Sequence, residues 1–129
     1  MPKRVNVLGV GISVTNIEHT VDSIRDWICA GEKHYVCVTG VHGVMESQGD
    51  EALRGIHNKS GLTVPDGRPM YWLGRLEGHA EMGPVPGELL SLAVCEAAAK
   101  EGWSMYFYGG GEGALAHVPV APLVQYVLD

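Results

Sequence analysis

Between residues 5 and 108 the hydrophobic pattern switches repeatedly between short apolar runs and longer stretches of helical spacing. This alternation constrains the fold more than any other feature, because a period of two and a period of about 3.6 bury their apolar faces in different ways. Val5, Val7, Ile12 and Val14 alternate with small or polar residues, and Gly9 and Gly11 mark a bend between two short strands. Thr15 and Glu18 match the S/T-x-x-E capping box of a helix start. Ile17, Val21, Ile24 and Ile28 then share one helical face, and Gly31 supplies the stop. Residues 35–39, YVCVT, are almost continuously apolar, which is how a strand covered on both faces reads. Residues 40–58 are mostly helical, with an interruption at Gly49 and a second start capped by Asp50. Residues 62–64 form a short strand that ends at Pro65-Asp66-Gly67.

Pro69 suits the first turn of the next helix, where its missing N–H costs nothing, and Met70, Leu73 and Leu76 give that helix an apolar stripe. Residues 78–87 form a loop around Pro84 and Pro86. Residues 88–101 carry the clearest helix, with Leu89, Leu90, Ala93, Val94 and Ala97 as apolar positions and Gly102 as its end. Residues 104–108, SMYFY, read as a strand rich in aromatics and lead into the glycine-rich segment 109–113. The succession predicts an α/β fold with a parallel sheet and helices on its faces. Such sheets bind ligands beyond the carboxyl ends of their strands. Three loops fall there: Thr39-Gly40, Asp66-Gly67 and the loop beginning at Gly109.

A chain of 129 residues fits one domain with a real core. The formal net charge is -6, and Lys3-Arg4 is the only adjacent basic pair, so a duplex nucleic acid is an unsuitable partner. Cys29, Cys37 and Cys95 are odd in number and widely spaced, which suits buried thiols in a reducing compartment better than a disulfide framework. The opening residues 1–14 break into Asn6, Gly9, Gly11 and Ser13 and do not read as a signal peptide. No apolar run approaches the roughly 20 residues that span a bilayer. The expectation is a cytoplasmic protein.

The chemistry-bearing residues sit at the strand ends. Asp66 is held between a proline that sets φ before it and a glycine that relieves strain after it. It is either a general base aimed at a ligand from rigid backbone or one residue of a common Pro-Asp-Gly turn. Gly67 belongs to the same turn. Thr39 ends a strand and either donates to a ligand or bonds local backbone. His42, on the loop after it, either reaches a sugar or phosphate or is simply solvated. Gly109, Gly111 and Ala114 match G-x-G-x-x-A, a weak signal for backbone amides approaching a diphosphate. The six histidines show no metal-ligand spacing, and neither a nucleophile elbow nor a P-loop lysine occurs.

Taken in order, VNVLGV, VTGVHGVMES, DEALRGIHNKSGL, VPDGRPMYWLGRL and MYFYGGGEG resemble the WecG/TagA/CpsF family of bacterial glycosyltransferases from Val5 to about Gly113. The resemblance implies a Rossmann-like parallel sheet with helices on both faces. It implies transfer of a sugar from a UDP-sugar to a polyprenyl-diphosphate-linked saccharide, with inversion and without a metal or other cofactor. The products would feed cell-wall polymers, surface antigens or exopolysaccharides. By the same resemblance Asp66 is the base, Thr39 lies in its pocket, and the Gly109-Gly110 turn contacts the nucleotide; His42 and Gly67, on the adjoining loops, join them as expected substrate-binding residues.

The chain departs from the family in three segments. Val41 stands where many relatives carry Asn, and Pro84 and Leu89 stand where relatives usually carry Arg and Asp. Residues 114–129, ALAHVPVAPLVQYVLD, do not continue the family pattern, and Pro119 and Pro122 interrupt any helix there. The expectation is a glycosyltransferase portion over 1–113, a divergent tail over 114–129, and a fold incomplete relative to the family. The C-terminal segment that relatives use for membrane contact is then absent, homo-oligomers are compatible, and the location is the cytoplasm or the inner membrane face. The alternative is a non-catalytic nucleotide-binding module or one subunit of a split enzyme.

Overall fold

The computed structural model describes residues 2–107. It holds β1 (Arg4–Val7), β2 (Val10–Ser13), α1 (Ile17–Ala30), β3 (Val36–Thr39), α2 (Val41–Gln48), α3 (Glu51–Lys59), β4 (Leu62–Pro65), α4 (Arg68–Leu76) and α5 (Gly87–Glu101). The chain divides into two compact units, one ending at Leu90 and one beginning at Ser91.

In the first unit β1 and β2 form an antiparallel hairpin, with Val7 opposite Val10. Leu8 and Gly9 both have positive φ, the geometry of the tight turn that matches strand twist. The expected bend between two short strands is therefore a hairpin turn. β3 and β4 pair in parallel from Val36↔Leu62 to Thr39↔Pro65. The Thr63 N–H donates to the Ser13 hydroxyl at 2.9 Å and ties the hairpin to β4. The fold is thus mixed α/β with a small parallel sheet, consistent with an incomplete Rossmann-like arrangement. The core gathers Val5, Val7, Val10, Ile12, Val14, Val44, Met70 and Met82, with Tyr71 against it.

Four details differ from the sequence expectation. Asn16, not Thr15, caps α1: its Oδ1 accepts from the His19 N–H at 2.9 Å. Thr15 is buried, and its hydroxyl meets that of Thr20 at 3.1 Å and donates to the Asn16 carbonyl, so it is turned inward rather than toward the N–H groups of the first turn. β3 is not covered throughout, because Val38 stays 42% exposed. Among the described residues β3 pairs with β4 alone, which leaves one edge open. The stripe of α4 is also rotated. Met70 and Gly74 are buried, whereas Leu73 and Leu76 face outward with Trp72. The cause is Met82, whose Sδ occupies the space where a Cβ on Gly74 would stand. Finally, residues 104–107 form no strand, and Tyr106 is exposed. Aromatic β-propensity alone does not make a strand without a ladder partner.

Helix α5 begins in the first unit and continues in the second, where Cys95, Ala97 and Ala98 are buried. Leu90 is buried as the spacing implies, but Leu89 and Leu92 are exposed. Gly102 has φ 74°, and the N–H groups of Gly102 and Trp103 both donate to the Ala98 carbonyl and close the helix.

Candidate functional site

The parallel pair β3 and β4 ends in step, and each strand passes through one or two residues into a helix. After Thr39 comes Gly40 and then α2; after Pro65 come Asp66, Gly67 and α4. The Asp66 N–H donates to the Thr39 carbonyl at 3.0 Å, so the pairing extends past the last strand residue. The two crossings are packed closely: a Cβ on Gly40 would stand 3.0 Å from the Asp66 carbonyl oxygen. Gly67 has φ 97° and ψ 156°, a conformation essentially closed to side chains. These two glycines let the strand ends meet and then turn outward.

Two helix N-termini therefore open beside one another at the end of the sheet. Neither is capped by a side chain. The first N–H groups of a helix have no intrahelical partner, and the peptide dipoles make that end positive. α2 offers more of them than α4, whose first turn contains Pro69 and so lacks one N–H. Such ends suit phosphate groups.

The side chains at this edge have unmet valences. Thr39 is 2% exposed, and its hydroxyl has no hydrogen-bond partner among the described residues. A buried hydroxyl left unpaired is costly in a native fold and calls for an explanation. The Asp66 carboxylate is half-buried and has no hydrogen bond or ion pair among the described residues. His42 lies in the first turn of α2, but its side chain is 88% exposed, with Nε2 2.9 Å from Glu46 Oε1 one turn on. Gly67 is exposed at the α4 start. Gly109 and Gly110 lie outside the described residues. The remaining side of β4 is closed by the loop before α5, whose Val85 N–H donates to the Pro65 carbonyl at 2.7 Å.

Two residues that sequence reasoning passed over tie the elements behind this edge together. The Arg4 guanidinium, read as part of a terminal basic pair, donates to the carbonyls of Gly11, His57 and Ser60 and to the hydroxyls of Ser60 and Thr63. His57 is buried, and its ring meets Ser47. Neither role has a local sequence signal, since the partners lie far apart along the chain. Among the described residues no three His, Cys, Asp or Glu side chains converge on one point. No described helix is long and apolar enough to cross a membrane.

Most of the chain, residues 5–120, matches the family model described as the glycosyl transferase WecG/TagA/CpsF family. No curated protein matches it.

Proposed function

Because the chain belongs to the WecG/TagA/CpsF glycosyltransferase family, we propose that it transfers a sugar from a UDP-sugar to a polyprenyl-diphosphate-linked acceptor, with inversion and with Asp66 as general base. The observation that carries this reading is the Asp66 carboxylate, half-buried and without a partner among the described residues, at the end of β4. A carboxylate engaged in a structural ion pair would be a poor base; an unengaged one can accept a proton.

In this reading the acceptor hydroxyl gives its proton to Asp66 as its oxygen attacks the anomeric carbon. The bond from that carbon to the diphosphate oxygen breaks, and UDP leaves with the electron pair. Attack and departure on opposite faces invert the centre. The uncapped N–H groups of α2 would meet the negative charge that grows on the leaving diphosphate, the kind of preorganised dipole that stabilises such a transition state. The Thr39 hydroxyl would find in the substrate the hydrogen-bond partner it lacks. In this proposal the helix N-termini, rather than a bound metal, take that charge. A lipid-linked acceptor would bring the reaction to the cytoplasmic face of the membrane and its product to cell-wall or exopolysaccharide synthesis.

The test is calorimetric titration with UDP, followed by transfer assays on Asp66→Asn. UDP should bind, and the variant should lose transfer by about a hundredfold or more while keeping UDP affinity within about twofold. Full transfer by Asp66→Asn would remove Asp66 from the role of base. A folded chain that releases no heat with UDP would remove the nucleotide donor as well. Binding without transfer by the parent chain would leave a nucleotide-binding module.

A further inference from the structure

His57, in α3, is 7% exposed and is held at both its main chain and its ring. Its carbonyl accepts from Arg4 Nη1 at 3.2 Å, Ser60 Oγ at 2.7 Å and Thr63 Oγ1 at 2.8 Å. Its Nδ1 lies 3.1 Å from Ser47 Oγ, and that oxygen lies 2.8 Å from the Gly43 carbonyl. The protons in this chain follow from valence. A carbonyl only accepts, so the single hydroxyl proton of Ser47 goes to Gly43. With that proton directed to the Gly43 carbonyl, the Ser47 oxygen accepts from the ring, and the arrangement assigns the His57 proton to Nδ1.

Gly43 is the point where this chain meets the candidate site. It lies in the first turn of α2. A Cβ there would stand 3.1 Å from Thr39 Cγ2 on one side and 3.8 Å and 3.9 Å from His57 Cε1 and Nε2 on the other. The methyl of Thr39 and the imidazole of His57 thus flank the same glycine. The ring also sets that glycine's carbonyl through Ser47. The helix start that opens beside Asp66 is therefore braced from behind by one imidazole.

We propose that His57 is a positioning residue for Thr39: through Ser47 and Gly43 it sets the first turn of α2 and so the seat of the Thr39 hydroxyl. The proposal rests on the reading of Thr39 as a substrate contact. It asks the His57 ring for one donor at Nδ1, and assigns it no contact with substrate.

The test uses the full chain with ¹³C-labelled threonine methyls and ¹⁵N-labelled histidine. The His57 ring should show its proton on Nδ1. His57→Phe keeps the ring volume and removes the donor, so the Thr39 methyl signal should move and UDP affinity should fall about tenfold. His57→Asn restores a donor near the Nδ1 position and should return both to within about twofold of the parent. A folded His57→Phe chain with an unmoved Thr39 methyl overturns the proposal, as does a ring protonated only on Nε2. A moved methyl with unchanged UDP affinity overturns the link from Thr39 to binding. Should His57→Phe fail to fold, Ser47→Ala decides the matter, since it breaks the chain at its middle and must also move the Thr39 methyl. If the parent does not bind UDP, the proposed function falls, while the methyl signal still decides whether His57 seats Thr39.

Discussion

Cys37 stands two residues before Thr39, and its environment gives a readout of this part of the sheet. Burial pushes its thiol up from the ordinary value of 9.0, against the opposing effects of a hydrogen bond with Ser60 and the charge of Arg4. The thiol thus ionises less readily in the folded chain than in the unfolded one. The stability this contributes is complete below pH 9.0 and is lost as pH rises through the folded value, because the unfolded state gives up its proton first. Melting temperatures measured across the alkaline range should fall less steeply in Cys37→Ala than in the parent; parallel curves would show that the thiol is not linked to folding. Cys95 is also raised by burial, whereas Cys29 is exposed. At this scale the strand-end positions of Thr39 and Asp66 were legible, since both close apolar runs next to glycine. His57 was not, because a histidine between Ile56 and Asn58 on a helix reads as solvated until its partner Ser47 is known.

At the scale of the element, helical spacing located α1, α3, α4 and α5 but did not settle which side of each turns inward. In α4 the expected stripe of Met70, Leu73 and Leu76 holds only at Met70, since Met82 fills the face that Gly74 leaves open. Caps behave in the same way. Thr15 and Asn16 are both chemically suited to start α1, and the choice falls to Asn16 because Thr15 is buried beside Thr20. Asn16→Ala should therefore lower stability by about 1 kcal/mol, and somewhat more because its amide also donates to the Glu81 carbonyl at 3.0 Å. Urea unfolding measures this directly. An unchanged midpoint would show that the helix start is held by other contacts.

At the scale of the first unit, Arg4 joins what the chain order keeps apart. It belongs to β1, yet it donates to the end of α3 and the start of β4 as well as to the partner strand β2. Hydrogen bonds from a charged donor are among the stronger ones, and buried acceptors left behind are costly. Arg4→Met, which keeps much of the aliphatic length, should lower unfolding stability by about 3 kcal/mol, read from the urea transition with the slope checked for two-state behaviour. A loss below about 0.5 kcal/mol would mean that the guanidinium acts as a solvated surface charge. The same variant should loosen His57, whose carbonyl it holds, and so couples the stability of this unit to the proposed seat of Thr39.

The sequence by itself determined the local events: hydrophobic period separated strand from helix, prolines and glycines marked the turns, and the Val64-Pro65-Asp66-Gly67 run marked one end of a strand. It also carried the family, whose match spans residues 5–120. Tertiary structure decided what depends on neighbours distant along the chain. It set the parallel register that brings Thr39 level with Pro65, the burial that leaves the Thr39 hydroxyl without a partner among the described residues, and the inward turn of Thr15. It also made the run 104–107 something other than a strand. The physical reason is common to these cases. Propensity and periodicity act within a few residues, whereas burial, ladder pairing and hydrogen-bond satisfaction are settled by whichever groups the folded chain brings alongside.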